Sequence, residues 1–210
     1  MTTERRIIML GTAATALLLV SGWLWLSRGP AGDPYAGCRQ SVVSGGMDSF
    51  GTDFTLTNQD SQRVSYADVF TKPSLLYFGY TFCPDVCPMD SARNAEAADL
   101  LAGQGKDVQT VFITVDPKRD TPEALRDFTG LFSDSMIGLT GSEQEIADVN
   151  RGWRNYYRAQ DADGDDYYLV DHMTNTFLIL PGDTGTVEFF GRDIAPADMA
   201  RRTACFVDAA

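Results

Sequence analysis

The feature that most restricts the fold is an uncharged, mostly apolar segment of twenty residues near the N-terminus, residues 7–26. At about 1.5 Å per residue, a helix of this length spans a hydrocarbon layer of about 30 Å. Arg5 and Arg6 precede the segment, and Arg28 is the one cation that closely follows it. The positive-inside rule then places the N-terminus in the cytoplasm and the residues from 29 onward outside. We therefore expect a single-pass anchor followed by an exported region.

A cleaved signal peptide is the alternative interpretation of this segment. Signal peptides usually have an apolar core of about 7–15 residues and a cleavage site between small residues, so an uncleaved anchor fits the length better. The Arg5-Arg6 pair also resembles part of a twin-arginine export signal. Two arginines at this place equally satisfy the positive-inside rule.

The exported region is strongly acidic. Residues 1–28 hold three Arg and one Glu, a charge of +2, so the rest of a chain with net charge −12 carries −14. Such a charge repels nucleic acids and anionic lipid, and we expect no nucleic-acid partner. It attracts cations and basic proteins, although solubility alone is a sufficient explanation for it.

Composition divides the chain into three parts. Residues 29–49 are rich in Gly and Ser and lack apolar periodicity, which is typical of a flexible tether. We expect the cytoplasmic N-terminus and the anchor at residues 1–28, the tether at 29–49 and one globular domain at 50–210. One domain with an appendage fits a chain of 210 residues better than two domains do.

Apolar periodicity and end signals predict the elements of this domain. Strands are expected in two hairpins and two compact apolar runs, within residues 54–64, 74–80, 108–115 and 175–190. Helices are expected at residues 66–70, 89–103, from 122, 142–156 and 195–206. A mixed α/β sheet with flanking helices is predicted from the order of these elements. This order is a strand pair, a strand, a helix, a strand, two helices, a strand pair and a helix.

Two helix starts carry explicit capping signals. Asp120 and Thr121 precede Pro122, and proline favours the first helical position, so we expect both residues to cap that helix. Ser142 and Glu145 have the spacing of a capping box.

Two cysteines lie where a strand leads into a helix. Cys83 follows the apolar run at residues 74–80, and Cys87 comes four residues later, so both side chains lie on one face of a helical turn. In such sheets, sites form beyond the carboxyl ends of parallel strands, and a helix N-terminus favours thiolates. We expect metal-binding or reactive thiols. Two buried apolar thiols or an inert disulfide are the alternatives.

His172 is the only histidine of the chain, and it precedes an apolar run. A lone histidine often has a structural role, but this one could present its ring at the end of a sheet. Together with Cys83 and Cys87 it forms a set of two thiolates and one imidazole, soft enough for Cu(I) and compatible with Cu(II). Structural zinc would require a fourth protein ligand, and none is obvious in the sequence.

Five segments, in this order along the chain, resemble the Sco/SenC family of copper chaperones. They are FTLTNQD (54–60), YFGYTFCPDVCP (77–88), FITVDPKRDTPEAL (112–125), IGLTG (137–141) and YLVDH (168–172). The resemblance covers about residues 50–192. It implies a thioredoxin-like fold in which Cys83, Cys87 and His172 bind copper.

The resemblance also implies a function and partners. It predicts delivery of copper to the binuclear copper centre of cytochrome c oxidase subunit II, and it equally permits reduction of the cysteines of that subunit. We expect a metal-binding protein rather than an enzyme, with no catalytic residues, that carries Cu(I) or Cu(II) and receives it from a periplasmic copper donor. The expected location is the inner membrane, with the domain in the periplasm.

Four acidic residues lie in or near these segments. Asp116 and Asp120 belong to the family's D-P-x-R-D-T segment, which is expected near the metal or a partner, although capping is a sufficient role for Asp120. Asp85 lies between the two cysteines and would tune the thiolates, take part in docking, or be a solvated first-turn acid. Asp171 would orient the ring of His172, but neighbours in a strand point to opposite sides, which argues against direct contact.

Two further cysteines, Cys38 and Cys205, lie outside the family's segments. In an exported protein an even number of remaining cysteines favours a disulfide, here one that joins the tether to the last helix. Lipid attachment or a free thiol at Cys38 is the alternative.

An acidic run at residues 161–166 (DADGDD) superficially resembles a calcium loop. His172 occupies the position at which such a loop has a bidentate glutamate. We therefore expect an acidic hairpin turn.

A thiol-disulfide oxidoreductase or peroxidase is the main alternative function, because thioredoxin-like proteins hold catalytic cysteines at the same junction. Three features favour metal transfer. Three residues rather than two separate Cys83 from Cys87, a histidine comes from another element, and residues 157–180 contain no proline, whereas oxidoreductases of this fold place a cis-proline facing the cysteines. A copper or redox sensor is a third function that the sequence does not separate from delivery.

Overall fold

The computed structural model describes residues 33–40, 46–160, 167–182 and 185–210. The chain forms two compact units, Met1–Ala36 and Gly37–Ala210. In the first unit only residues 33–36 are described, and there the Ala36 N–H donates to the Asp33 carbonyl at 3.0 Å. The predicted anchor at residues 7–26 and the predicted acidic turn at 161–166 lie outside the described residues. Across the described ranges, no helix combines the length and the hydropathy that crossing a membrane requires.

The described part of the second unit contains nine strands and five α-helices. The strands are β1 (Thr55–Asn58), β2 (Arg63–Ser65), β3 (Ser74–Gly79), β4 (Gln109–Thr114), β5 (Ile137–Thr140), β6 (Tyr157–Ala159), β7 (Val170–His172), β8 (Thr176–Ile179) and β9 (Thr186–Phe190). The helices are α1 (Tyr66–Val69), α2 (Val86–Ala102), α3 (Pro122–Gly130), α4 (Glu143–Gly152) and α5 (Pro196–Ala209).

Seven of the strands form one mixed sheet in the order β2-β1-β5-β4-β3-β8-β9, while β6 and β7 form a separate antiparallel pair. β3, β4 and β5 are parallel, and β1 and β8 join them in antiparallel orientation. In the β3–β4 register, Ser74 lies opposite Gln109 and Gly79 lies opposite Thr114, so both strands end at the same edge of the sheet. α2 packs on α5 and contacts β3 and β4, and α3 contacts β5. The predicted mixed α/β sheet with flanking helices is confirmed.

The core lies around the two central strands. Every residue of β3 and β4 is buried, as expected for parallel strands that are covered on both faces. The ring of Phe78 lies 6.1 Å from that of Trp153 and 5.9 Å from that of Phe177, and the last two rings are 5.4 Å apart. Such tilted and edge-on contacts are the favoured aromatic geometries. They pack the end of α4 against the strand that leads to the cysteines.

The helix starts follow the predicted signals with one exception. Ser142 Oγ accepts from the Glu145 N–H at 3.3 Å and Glu145 Oε2 accepts from the Ser142 N–H at 2.7 Å, so the predicted capping box is present. Thr121 Oγ1 accepts from the Ala124 N–H at 3.2 Å and caps α3. Asp120 does not share this role, because its carboxylate binds other groups that are described with the site. The prediction that Asp120 caps this helix is wrong.

A strand that the sequence did not predict lies between α3 and α4. This strand, β5, has only four residues and includes Gly138, and glycine weakens the strand signal. A Cβ at Gly138 would lie 3.1 Å from Leu125 Cβ and 3.2 Å from Thr129 Cγ2. The glycine is thus required for the close approach of α3 to the sheet.

Part of the predicted tether is attached to the domain. Cys38 forms the predicted disulfide with Cys205 of α5. The Arg39 guanidinium donates to the Val187 carbonyl, and the Gln40 N–H donates to a carboxylate oxygen of Glu188 at 3.3 Å. At the other end of the segment, the Thr186 N–H donates to the Phe50 carbonyl at 2.8 Å. Residues 38–40 and Phe50 therefore contact β9 and α5.

Candidate metal centre

The two cysteines occupy the turn between β3 and α2. The Cys83 N–H donates to the Tyr80 carbonyl at 3.3 Å, which closes the turn, and α2 begins at Val86, so Cys87 lies in its first turn. The Cys87 N–H donates to Cys83 Sγ at 3.3 Å. The first N–H groups of a helix have no partner within it, and here the sulfur of Cys83 satisfies one of them. This contact brings both sulfurs to the same face.

His172 reaches the cysteines from the separate β6–β7 pair, where it lies opposite Tyr157. Its Nε2 atom lies 3.3 Å from Cys87 Sγ, and its Nδ1 atom lies 2.8 Å from the Met173 carbonyl oxygen. The carbonyl can only accept, so Nδ1 carries a proton in this contact, and the Nε2 side of the ring faces the cysteines. A backbone carbonyl thus orients the ring.

One ligand atom from each of Cys83, Cys87 and His172 lies within 4.8 Å of the other two. Within the described residues, this is the one group of three or more histidine, cysteine or acidic side chains with such spacing. Cys83 is 7% exposed, Cys87 is fully buried, and His172 is partly exposed. Two sulfurs and one imidazole nitrogen fit a copper ion by donor type, and the partial exposure of His172 leaves the site open on one side.

The two thiols have opposite pKa shifts. The hydrogen bond with Cys87 is the largest cause that lowers the pKa of Cys83 from 9.0 to about 3, with a further contribution from His172 and against the effect of burial. Burial raises the pKa of Cys87, and the hydrogen bond with Cys83 adds to this increase. The opposite directions favour the thiolate form of Cys83 and the thiol form of Cys87. A metal that binds both sulfurs must displace the remaining proton.

Asp120 supports the cysteine turn rather than a helix. It is fully buried, and its carboxylate accepts from the Thr81 N–H at 3.0 Å, from the Thr81 hydroxyl at 2.6 Å and from the Thr114 hydroxyl at 2.6 Å. Burial raises the pKa of this carboxyl group. Asp120 thus joins the end of β4 to the residue two positions before Cys83.

The other three predicted acidic residues differ in their exposure and in their hydrogen bonds. Asp85 is exposed at the start of α2 and makes no capping hydrogen bond with its side chain. Asp171 accepts from the Gln160 amide at 2.9 Å, so it does not orient His172. Asp116 is buried, and its carboxylate accepts from the Tyr168 hydroxyl at 2.7 Å.

Three residues that line the site were not singled out from the sequence. The rings of Tyr77 and Tyr80 stand edge-on to the imidazole of His172, with centroids 6.1 and 5.8 Å away. Gly79 lies against Cys87, because a Cβ at this glycine would be 3.0 Å from Cys87 Sγ. All three belong to the YFGY run, whose apolar pattern indicated a buried strand and gave no separate sign of contact with a metal site.

With this geometry established, comparison with known proteins identifies the family. The SCO1/SenC family model matches residues 43–208, which is most of the chain. The chain belongs to the SCO1/SenC family. This membership confirms the resemblance and the thioredoxin-like fold that it implied.

Individual relatives of the SCO1/SenC family agree with this assignment. The chain is 48% identical over 177 residues to the protein SenC of Rhodobacter capsulatus, which covers 84% of this chain and 79% of SenC. It is 39% identical over 151 residues to the mitochondrial SCO1 homolog 1 of Arabidopsis thaliana, which covers 71% of this chain but only 45% of that protein. The crystal structure of Arabidopsis thaliana ScoI, solved with copper bound, matches with a TM-score of 0.70 and 35% identity, over 76% of this chain and 99% of that chain.

Proposed function

We propose that this SCO1/SenC protein is a copper chaperone of cytochrome c oxidase assembly, in which Cys83, Cys87 and His172 hold copper for delivery to the binuclear copper centre of subunit II. The observation that carries the proposal is the convergence of three soft or borderline donors within 4.8 Å. The copper in the related ScoI structure supports it.

The donor set suits an ion that must be bound and then passed on. Two thiolates favour Cu(I), and the imidazole extends the site to Cu(II). Cys83 enters the reaction as a thiolate, whereas Cys87 must release its proton when the ion binds, because burial raises its pKa. Copper with three protein donors accepts a further ligand. A ligand of the partner can therefore join the ion before the donors of this chain leave it.

We also infer that residues 7–26 form a single-pass anchor in the inner membrane and that the domain at residues 50–210 lies in the periplasm. The absence of charge over those twenty residues and the arginines before them support this arrangement. The Cys38–Cys205 disulfide agrees with an oxidising compartment. Residues 29–49 join the two parts.

Copper stoichiometry of the cysteine variants tests the site. We expect the purified full chain in detergent to bind one Cu(I), and Cys83→Ser and Cys87→Ser each to lose tight binding in competition with a chromogenic chelator. The matched control is the Cys38→Ser/Cys205→Ser double variant, which removes two sulfurs outside the site and should still bind one ion. Wild-type affinity in Cys83→Ser would contradict the assignment.

Reduction of subunit II is a second candidate function, and the opposite pKa shifts of the two thiols favour it. The Cys83 thiolate would attack one sulfur of a disulfide in subunit II and release the other as a thiolate. Cys87, after losing its proton, would then attack Cys83 and release the second thiolate. The pair loses two electrons and becomes a disulfide, which a thiol reductant in the same compartment must reduce.

His172→Ala separates the two candidates, because disulfide exchange needs the cysteines alone whereas the imidazole is a copper ligand. We expect this variant to lose Cu(II) affinity and to impair loading of subunit II with copper, while reversible oxidation of the cysteine pair continues. Normal oxidase activity and subunit II copper in cells that carry a folded His172→Ala protein would favour the redox function.

A further inference from the structure

Arg119 lies between the two parts of the chain that supply the ligands. It follows β4, and its side chain is only 13% exposed. The carboxylate of Asp116 holds the guanidinium in an ion pair, and Asp116 is itself buried. Burial of an arginine removes its charge from water, and this desolvation is offset only where its hydrogen bonds are well placed. Its other contacts show what it holds.

On the histidine side, Arg119 binds Tyr168, which lies four residues before His172. The guanidinium donates to the Tyr168 carbonyl at 2.9 Å, and its central carbon lies 3.7 Å from the centroid of the Tyr168 ring. The Tyr168 hydroxyl also donates to Asp116 at 2.7 Å. Main chain and ring of Tyr168 are therefore both held by one buried ion pair.

On the cysteine side, the same guanidinium contacts the turn that carries Cys83. Its central carbon lies 4.9 Å from the centroid of the Phe82 ring and 5.8 Å from that of Tyr80. These distances are within the range of cation–π attraction. Phe82 directly precedes Cys83 in the sequence. Arg119 therefore bridges the segment that precedes Cys83 and the segment that precedes His172.

The topology makes such a bridge important for the geometry of the site. The cysteines follow β3 of the main sheet, whereas His172 belongs to β7, which pairs only with β6 among the described strands. No strand ladder therefore joins β7 itself to the main sheet, and the nearest ladder pair places Thr176, four residues after His172, opposite Tyr77. Within the hairpin the Met173 N–H donates to the Tyr156 carbonyl at 3.0 Å. A hydrogen bond between Tyr80 and the Val170 backbone also joins the hairpin to the residue that follows β3.

We propose that Arg119 is a positioning residue of the copper site, which sets the distance between His172 and the two thiols through Tyr168 and Phe82. This inference rests on the proposed copper function. Loss of contacts that orient a metal ligand typically lowers metal affinity about 10–100-fold. Because the imidazole matters more for Cu(II) than for Cu(I), Arg119→Gln should lower Cu(II) affinity at least about tenfold and change Cu(I) affinity less.

The experiment compares Arg119→Gln with Arg126→Gln in the full chain, in detergent and with any affinity tag removed. Arg126 is a matched control, because its exposed side chain binds the Gln59 carbonyl away from the site. With ¹³C-labelled histidine, the metal-free protein gives signals from one imidazole, because the chain has one histidine. We expect these signals to shift and broaden in Arg119→Gln and to be unchanged in Arg126→Gln. Nitrogen hyperfine coupling of bound Cu(II) should weaken in the first variant alone.

Wild-type imidazole signals and wild-type Cu(II) affinity in a folded Arg119→Gln protein would overturn the inference. If that variant does not fold, Arg119→Lys replaces it, because it keeps the positive charge but loses the guanidinium fork that reaches both Asp116 and the Tyr168 carbonyl. It should give smaller changes in the same direction, and unchanged signals and affinity would again overturn the inference. A wild-type protein that binds no copper refutes the proposed function instead, and the imidazole signals of the metal-free variants still decide the role of Arg119.

Discussion

Gly79 lies where β3 passes closest to Cys87, and Gly79→Ala is expected to damage both stability and copper binding. A Cβ at this position would lie 2.9 Å from Phe112 Cε2, 2.9 Å from Tyr77 Cε1 and 3.0 Å from Cys87 Sγ. Non-bonded carbon atoms prefer separations of about 3.5–4.0 Å, so the neighbours must move by about 0.5–1 Å. All of these neighbours are buried, and in a densely packed interior their movement displaces further side chains.

The structure gives the size of both effects. Overpacking of a dense core by one methyl group costs about 1–3 kcal/mol of unfolding free energy. A shift of Cys87 Sγ also changes its distance to His172 Nε2, now 3.3 Å. We expect copper affinity to fall by about tenfold or more, as when a ligand loses its supporting contacts.

Gly138→Ala is the control for this prediction. Its Cβ would lie 3.1 Å from Leu125 Cβ and 3.2 Å from Thr129 Cγ2, so the position is crowded, although less than Gly79, and it contacts none of the proposed ligands. Urea unfolding of the metal-free proteins and competition with a Cu(I) chelator measure the two quantities. We expect both variants to lose stability and only Gly79→Ala to lose copper affinity. Unchanged copper affinity in Gly79→Ala, or an equal loss in both variants, would refute the reasoning.

Three further predictions concern the scaffold around the site. Replacing Cys38 and Cys205 by serine removes a cross-link between residues 167 apart in sequence. In the chain-entropy model this cross-link contributes up to about 5 kcal/mol to the free energy of unfolding. Urea unfolding should show a loss of at least about 2 kcal/mol in this free energy. Asp120→Ala leaves the buried Thr114 hydroxyl and the partly buried N–H and hydroxyl of Thr81 without their acceptor, and it should cost about 2–4 kcal/mol by the same measurement. A loss below about 1 kcal/mol would contradict this role. A hydrogen bond from Arg63 lowers the pKa of Glu145 from 4.5 to about 2, so its contribution to stability is present above pH 4.5 and is lost as the pH falls towards 2. Because this side chain is 35% exposed, Glu145→Gln should cost only about 1 kcal/mol at pH 7 after solvent screening, and this difference should disappear near pH 2.

Local signals in the sequence were sufficient for most of the main sheet. The runs at residues 74–80 and 108–115 predicted β3 and β4 because central parallel strands are apolar throughout. β5 was missed because four residues with a central glycine lack a strand signal, and it forms through its neighbours β1 and β4. The helix predicted from residue 89 begins at Val86, since the sulfur of Cys83 accepts from one of its first N–H groups.

The identity of the candidate ligands followed from the sequence, but their arrangement did not. Cys87 and His172 are separated by 85 positions, and their approach depends on contacts that no spacing reveals, such as that of Arg119 with Tyr168. Asp120 shows the same limit. Its neighbours Thr121 and Pro122 form a local capping pattern, whereas its strongest contacts include Thr81, which lies 39 positions earlier.

The contacts that Arg39 and Phe50 make with β9 have a further consequence for the behaviour of the protein in solution. β9 is the last strand of the main sheet, and an exposed outer strand is a template for strand addition by a second molecule. Here the Thr186 N–H is bound by Phe50 and the Val187 carbonyl by Arg39, so the chain covers its own outer strand. The Cys38–Cys205 cross-link holds the neighbouring Arg39 beside this strand, and we therefore expect it to limit strand addition between molecules as well as to stabilise the fold.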